Sequence, residues 1–392
     1  MSTERLLWIS LGIYLLGIQV SQSLASLGAT IFTLIFWGAL ARVIYRKRLD
    51  EFTSWEKMAF LSAALYTVYL VVGLLFFRRW NTNFWDAISS APLWVVAFPA
   101  ILLKERLDSR KEDFFIRFFS LASLANAIFS LYQIFVLDYR FAVAWMKSPI
   151  YLAYAMLPFL VFWFERLRME YDLRDLFRSK KWELVGWVCS TIVLFLTASR
   201  TACAVALVYL AIRGLPWAYR WGRPRILIFV MALGVAMAAA LVTFHPGVRA
   251  KVDEMRNIRT NDSWLSRRDI WNHNRKLFFG DPIFGVGYKQ NGISGDQSPA
   301  DWNQYNIRGP QLYYAHSIYL QAAAESGILG IVLLALSLIG LALAFPTTIP
   351  VILVTLAAGV TENTFSNSKP LNALLGILLF LVFLSRKKKR NA

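Results

Sequence analysis

The sequence contains few of the residues that build metal centres, disulfides and soluble surfaces. Only 17% of its 392 residues are charged, and it has two cysteines and three histidines. Cys189 and Cys203 both lie in apolar runs, so they predict neither a disulfide framework nor a zinc ligand set. The histidines lack HExxH or HxxxH spacing, so no metal site is expected.

Motifs of nucleotide chemistry are also missing. There is no P-loop and no Asp-x-Asp pair for a sugar nucleotide and its cation. The Gly-x-Ser-x-Gly motif of α/β-hydrolases, which marks a serine nucleophile, is absent as well. Gly285 and Gly287 form a Gly-x-Gly pair, but Gln290 stands where a Rossmann pattern needs its third glycine. Nucleotide-driven transport and cytoplasmic sugar-nucleotide chemistry are therefore disfavoured, and no cofactor is expected.

Apolar residues dominate the chain instead. They make up 57% of the residues, aromatic residues make up 15%, and the mean hydropathy is +0.47. This composition predicts a polytopic membrane protein surrounded by lipid. The net charge of +18 comes from short Lys and Arg clusters between apolar runs, which is the positive-inside pattern rather than a nucleic-acid-binding surface.

Apolar runs long enough to cross a bilayer, about 20 residues each, predict an all-α protein with about twelve transmembrane helices. They lie at roughly 6–24, 27–45, 58–77, 84–103, 114–137, 148–165, 182–198, 201–219, 225–244, 317–344, 347–362 and 370–385. The first run resembles a signal anchor, and because a second run follows at once we expect it to be retained.

The basic clusters give the orientation. With an even number of spans, the clusters at 42–48, 104–111, 166–181, 213–225 and 386–390 all fall on one side. That side is cytoplasmic, and so are both termini. The chain then divides into transmembrane helices 1–9 at 1–244, an extracytoplasmic loop subdomain at 245–315, and helices 10–12 with a basic cytoplasmic tail at 316–392. The loop subdomain is itself basic, with ten Lys or Arg against seven Asp or Glu.

Inside the loop subdomain, the pattern predicts a helix that runs from Asp262 or Ser263 to about Phe279, where Gly280 and Pro282 stop it. One face of this helix is aromatic at every seventh position, at Trp264, Trp271 and Phe278. Such a helix would lie in the headgroup layer. The following residues, 285–311, are typical of a loop.

His316 stands where this loop re-enters the membrane. A lone histidine is more often structural, but its polar neighbours favour a catalytic role, because an imidazole can act as a general base near neutral pH. Arg200 lies between two spans at the same outer surface, and the spans that begin near Arg200 and His316 both present helix N-termini there. With Arg267 and Arg268 this predicts a pocket for a phosphate or pyrophosphate headgroup. The alternative is that Arg200 is a snorkelling residue at a helix end.

Two acids adjoin this surface. Glu325 lies nine residues after His316, about 13 Å along an ideal helix and on the other face. We therefore expect it to pair with a basic or amide group rather than with the histidine. Glu362, at the outer end of the eleventh span, is better placed, and structural and catalytic roles are both open for it. Gly327 and Gly330 would allow close helix packing.

At these residues the chain resembles the O-antigen ligase and polymerase superfamily, membrane glycosyltransferases of the bacterial cell envelope. The resemblance rests on Ser199-Arg200, Arg267-x-x-x-Trp271, Pro282-x-Phe284-Gly285-Val286-Gly287, and His316-Ser317-x-Tyr319-Leu320 followed by Glu325-x-Gly327-x-x-Gly330. Each motif is short, and their order and spacing carry the resemblance, which covers about the second half of the chain.

The resemblance implies a GT-C-like fold and transfer of a glycan from undecaprenyl diphosphate to an acceptor hydroxyl, at the periplasmic face of the bacterial inner membrane, without metal or nucleotide. It implies that His316 is the general base or another essential catalytic group, and that Arg200 and Arg267 hold the diphosphate and stabilise its developing charge. Further expected roles are substrate binding for Arg268, Trp271, Tyr319 and Glu362, and structural roles for Glu325, Gly285, Gly287 and Gly327.

Four functions follow as hypotheses. The first is an O-antigen ligase that joins finished polysaccharide to a lipid A–core acceptor, which the single late outer loop and the compact motif block favour. The related alternatives are an O-antigen polymerase, whose acceptor is a second lipid-linked repeat, and a protein O-glycosyltransferase. A lipid or solute transporter is the alternative outside the enzymes; it predicts inverted repeats with paired broken helices, and the sequence shows none.

Overall fold

The described part of the chain is helical. The computed structural model describes residues 3–20, 22–76, 90–104, 109–139, 141–144, 148–168, 180–220, 262–289, 291, 315–360 and 368–388. Within these ranges the chain forms helices and no strand, in agreement with the predicted all-α class. The helices are α1 Thr3–Val20, α2 Gln22–Tyr45, α3 Ser54–Phe76, α4 Pro99–Leu103, α5 Ser109–Phe135, α6 Pro149–Leu167, α7 Lys181–Leu196, α8 Arg200–Arg220, α9 Asp262–Gly280, α10 Ile318–Ala344, α11 Ile349–Ala358 and α12 Ser368–Lys388.

Five segments of the described helices are long and apolar enough to cross a bilayer. They are Ser23–Tyr45, Ser54–Leu75, Ser109–Phe135, Pro149–Leu167 and Ile318–Ala344. These segments agree with a multi-pass membrane protein. The count of twelve spans stays a prediction, because the predicted ninth span at 225–244 lies outside the described residues.

The fourth predicted span, at 84–103, differs from one continuous helix in its described part. That part consists of a 3-10 turn, Ala91–Val95, and the five-residue helix α4. Pro92 and Pro99 each stand in the first turn of their own element. A proline is tolerated there, but it cannot continue a preceding helix because it lacks an N–H. The prolines therefore divide this region into two short segments.

The described residues divide into two compact units. The first comprises Met1–Ile18, Gln22–Glu112 and Leu265–Ala392. Its largest helix contact is between α3 and α10, which approach so closely that a Cβ on Gly340 would lie 2.6 Å from the Ala59 nitrogen. Helix α10, which begins two residues after His316, is thus packed along a neighbouring span.

The second unit comprises Gln19–Ser21 and Asp113–Trp264. Helices α6 and α7 pack together, with the Trp163 ring against Gly186, where any side chain would collide with it. Helix α8 is tied to α6 by Glu165, whose carboxylate accepts hydrogen bonds from Tyr209 Oη at 2.6 Å and from Arg213 Nε at 3.0 Å. This carboxylate anchors the middle of α8, at Tyr209 and Arg213.

Candidate active site

His316 lies in a short loop directly before α10. Its backbone is left-handed, with φ 48°, a conformation that costs a non-glycine residue about 1–2 kcal/mol. Ala315 and Ser317 on either side are 0% and 4% exposed, whereas His316 itself is half-buried. Strained backbone persists only where the surrounding structure holds it, and here the two buried neighbours hold the loop. His316 stays partly accessible between them.

Hydrogen bonds hold the loop on both sides of the histidine. Ala315 donates its backbone N–H to Gln321 Oε1 at 2.6 Å. The Ser317 carbonyl accepts the Gln321 N–H at 3.0 Å, which is the first turn of α10. The Ile318 N–H, one of the donors that a helix start leaves without an intrahelical acceptor, donates to the Gly359 carbonyl after α11 at 2.8 Å. The residues flanking the histidine are thus fixed to two helices.

Helix α10 is broken nine residues after it begins. Gly327 has φ 58° and ψ −167°, which are not helical values. The segment 282–287, which follows α9, pairs with the backbone at the break. Four backbone N–H groups donate across this contact: Val286 to Ala324 (2.8 Å), Gly287 to Glu325 (3.0 Å), Ile328 to Pro282 (2.9 Å) and Leu329 to Ile283 (3.2 Å). Irregular backbone at membrane depth is tolerated only where other groups satisfy its donors and acceptors, and segment 282–287 supplies them.

Two glycines make this close approach possible. Gly285 is also left-handed, with φ 70°, and a Cβ on it would lie 2.6 Å from the Ala324 carbonyl oxygen. A Cβ on Gly327 would lie 2.7 Å from the Phe284 nitrogen. Gly327 therefore does permit a close contact, but with the backbone of segment 282–287 rather than with the face of another helix. The Tyr69 hydroxyl of α3 lies 2.5 Å from the Phe284 carbonyl oxygen and 2.9 Å from the Ser326 carbonyl oxygen, so its one proton is shared between the two segments.

A chain of buried side-chain amides joins α9 to α10. Asn274 of α9 donates to the Ile270 carbonyl at 2.9 Å, and its Oδ1 accepts from Asn291 Nδ2 at 2.9 Å. Asn291 Oδ1 in turn accepts from Gln321 Nε2 at 3.1 Å. His273 donates from Nε2 to the Asn291 carbonyl at 3.0 Å. Asn274, Asn291 and Gln321 are all at most 1% exposed, so the chain is sealed from solvent.

Glu325 ends this chain on the side of α10. It is buried, and its Oε1 accepts a hydrogen bond from Gln321 Nε2. Lys289 donates a backbone hydrogen bond to the same carboxylate and adds a positive charge nearby. Glu325 therefore contacts an amide group and a basic residue, and it is linked to the residue before His316 through Gln321.

The predicted ligand residues of α9 differ in their exposure. The helix itself forms from Asp262 to Gly280, close to the predicted bounds. Arg267 is half-buried and shares a face with the buried Ile270 and Asn274, at spacings of three and seven residues. Arg268 is exposed, and its Nε lies 3.5 Å from Asp269 Oδ1. Trp271 is half-buried. Arg267 is thus carried by the helix face from which the amide chain leads to the His316 loop.

Arg200 belongs to the second unit, where it is exposed and is the first residue of α8. The turn before it contains Ala198 with φ 50°, and the Thr197 hydroxyl donates to the Leu194 carbonyl at 2.6 Å. The predicted helix start at Arg200 is therefore present. Arg200 thus stands at the helix end that presents free N–H groups and the positive end of the helix dipole.

Of the two remaining predicted substrate-binding residues, Tyr319 and Glu362, the structure describes only the first. Tyr319 is 49% exposed, and its hydroxyl donates to the Leu356 carbonyl of α11 at 2.9 Å. Glu362 lies outside the described residues, as does most of the predicted loop subdomain. Within the described ranges, no three His, Cys, Asp or Glu side chains are grouped so that they could hold a metal ion.

The sequence interpretation missed Asn274, Asn291 and Gln321. A signal for one of them was present, since Gln321 and Glu325 stand four residues apart in a span whose other residues are apolar apart from one tyrosine and three serines. Polar groups at that spacing share a helix face, and in a membrane protein they require partners. The partners themselves lie 30 or more residues away in the chain, at Asn291 and Asn274.

Comparison with known families supports the motif interpretation. Residues 185–335 match the family model described as O-antigen ligase. The match begins in α7 and ends in α10, so it contains Arg200, Arg267 and His316. No curated protein matches the chain at a significant level. The resemblance to the O-antigen ligase family is therefore confirmed for this region of the chain.

Proposed function

We propose that the protein is an O-antigen ligase that transfers polysaccharide from undecaprenyl diphosphate to a lipid A–core acceptor. The observation that carries this proposal is the O-antigen ligase match over residues 185–335, which includes all three residues assigned to catalysis. The constrained loop around His316 supports the same assignment. A half-buried histidine in a left-handed conformation, fixed on both sides, is the kind of group that catalysis requires to be preorganised.

The proposed reaction is a displacement at the anomeric carbon of the donor glycan. The acceptor hydroxyl oxygen forms the new bond to this carbon, and the bond from the carbon to the diphosphate oxygen breaks with its electron pair. His316 takes the proton from the acceptor hydroxyl, because a sugar hydroxyl is a poor nucleophile until that proton is removed. The products are the glycosylated acceptor and undecaprenyl diphosphate.

The arginines are assigned to the leaving diphosphate. Negative charge develops on it as the glycosidic bond breaks, and guanidinium groups can pair with such oxygens through two parallel hydrogen bonds. Arg200 stands at a helix N-terminus, where N–H groups and the helix dipole also favour an anion. Arg267 stands on the α9 face that the amide chain joins to the His316 loop. Arg268, Trp271, Tyr319 and Glu362 are proposed to contact the substrates.

The proposed location is the inner membrane of a bacterium, with the site facing the periplasm and both termini in the cytoplasm. The positive-inside distribution of the basic clusters supports this orientation. A lipid-linked donor and a lipid A–core acceptor are both anchored in the same bilayer, so a site at the membrane surface can receive both.

The glycolipid profile of a deletion strain tests this function. A ligase predicts loss of polysaccharide-capped lipopolysaccharide together with accumulation of polymeric lipid-linked glycan. Lipopolysaccharide capped with single repeats would instead identify a polymerase, and an unchanged lipopolysaccharide with an unglycosylated protein would identify a protein O-glycosyltransferase. Complementation with the wild-type chain is the control.

A further inference from the structure

We propose that Gln321 is a positioning residue that holds His316 in its reactive conformation, an inference that rests on the proposed function. Gln321 stands five residues after His316 in the chain. The described contacts of its side chain are with Ala315, Asn291 and Glu325. Its effect on catalysis would therefore act through the backbone of the loop.

The hydrogen bonds of Gln321 fix the orientation of its amide. Its Oε1 receives the Ala315 backbone N–H at 2.6 Å, and a backbone N–H can only donate. Its Nε2 must then donate, and it faces Asn291 Oδ1 at 3.1 Å and Glu325 Oε1. One acceptor and two donors are thus used in a single orientation, which neither a carboxylate nor an apolar side chain can reproduce.

The tether, which is the hydrogen bond between the Ala315 N–H and Gln321 Oε1, acts next to the strained backbone of His316. His316 is left-handed, and the Ala315 N–H beside it is buried. Without Gln321 Oε1 that N–H loses its hydrogen bond, which is costly in a buried position. The loop can recover a partner for it by rotating, and rotation would return His316 to an ordinary backbone region. The imidazole would then move relative to the acceptor hydroxyl.

The side chain of Gln321 is also hydrogen-bonded, through other amides, to the helix that carries Arg267. From Gln321 the amide chain continues through Asn291 to Asn274, which lies on the Arg267 face of α9. The base and one diphosphate ligand are therefore supported by one buried network. A change at Gln321 would affect the base directly through Ala315 and the arginine only through two further amides.

The test compares the purified full-length protein with its variants. Gln321→Leu removes both the acceptor and the donors. Thr348→Val is the matched control: Thr348 is buried, donates its hydroxyl to the Phe345 carbonyl at 2.7 Å, and follows the other end of α10. The double variant Gln321→Glu with Glu325→Gln exchanges the amide and the carboxylate. The double variant is compared with Gln321→Glu alone. If the leucine variant does not fold, the comparison of these two variants still tests the proposal.

Two readouts are taken. Amide hydrogen exchange of the peptide that contains Ala315 reports the tether without reference to activity. Steady-state transfer, with undecaprenyl-diphosphate-linked polysaccharide as donor and lipid A–core as acceptor, gives kcat and KM. A misplaced catalytic group lowers kcat by about 10²-fold, whereas uniform loss of binding raises KM.

The proposal expects faster exchange at Ala315 in Gln321→Leu, a kcat lower by about 10²-fold and a donor KM within about twofold of the wild type. Thr348→Val should match the wild type in all three. In Gln321→Glu alone, the new carboxylate faces the Glu325 carboxylate and Asn291 Oδ1, which repel it and displace its acceptor oxygen from the Ala315 N–H. The double variant should exceed this single variant in kcat by about tenfold, because the amide introduced at position 325 can donate to the carboxylate introduced at position 321.

Unchanged exchange at Ala315 in Gln321→Leu would overturn the proposal, and so would unchanged kcat despite faster exchange. A double variant no more active than Gln321→Glu would also contradict it. If the wild-type protein transfers no glycan, the proposed function fails instead, and the exchange experiment still decides whether Gln321 holds the loop.

Discussion

Gly285 and Gly327 meet so closely that a Cβ on Gly285 would lie 2.7 Å from the Gly327 nitrogen, and both residues have positive φ, 70° and 58°. They come from two of the motifs on which the family resemblance rests. The structure therefore gives these motifs a shared physical reason: segment 282–287 satisfies the backbone of α10 at its break. The first segment of α10, which carries Gln321 and follows His316, is held in place by this contact.

Alanine at Gly327 is expected to destabilise the protein by about 2 kcal/mol or more, since it adds left-handed strain and overpacks the contact. Thermal unfolding in detergent measures this as a lower Tm. Gly38→Ala in α2 is the control, because a Cβ there meets nothing within 4 Å and alanine favours a helix by up to about 1 kcal/mol. Equal Tm values for Gly327→Ala and wild type would contradict the role of the break.

The sequence predicted the helices at this site better than their connections. The helix from Asp262, the helix start at Arg200 and the span that begins after His316 all follow from periodicity and from breaker residues, and the structure has them. The break in α10 did not follow from the sequence, because its hydrogen bonds join backbone groups about 40 residues apart and involve no particular side chains. Gly285 and Gly327 indicated a close approach, but not between which segments.

The hydrogen-bonded chain of buried amides could not be predicted from the sequence either. Glu325 was expected to pair with an amide or basic group, but an ideal helix placed it away from His316. The link through Gln321 depends on the backbone of Ala315 folding back over the first turn of α10. Such a contact depends on the left-handed backbone at His316, which no pattern of apolar and polar residues records.

Lysine substitutions test the assignment of the arginines. Arg200→Lys and Arg267→Lys keep the charge but lose the planar pair of donors, so transfer is expected to fall by about 10²-fold while the protein still inserts. Initial rates of purified variants in detergent or liposomes give the measurement. Arg275→Lys is the control, since Arg275 is exposed on the same helix as Arg267. Full activity in both Arg200→Lys and Arg267→Lys would contradict a role of these arginines in binding the diphosphate.

Reporter fusions test the topology. Fusions at residues 48, 108, 174 and 390 are expected to be cytoplasmic, and a fusion near residue 295 is expected to be periplasmic. An alkaline phosphatase and green fluorescent protein pair reports both sides of the membrane. A cytoplasmic signal near 295 would contradict the orientation and, with it, a periplasmic site.

The most direct test of the account is the transfer rate of purified His316→Ala with lipid-linked polysaccharide and lipid A–core. His245→Ala is the matched histidine control, and circular dichroism with donor binding confirms that the variant is folded. If His316 removes the acceptor proton, transfer falls by about 10²–10⁴-fold, donor binding stays near that of the wild type, and His245→Ala remains active. Near-normal transfer by a folded His316→Ala protein would contradict the central claim.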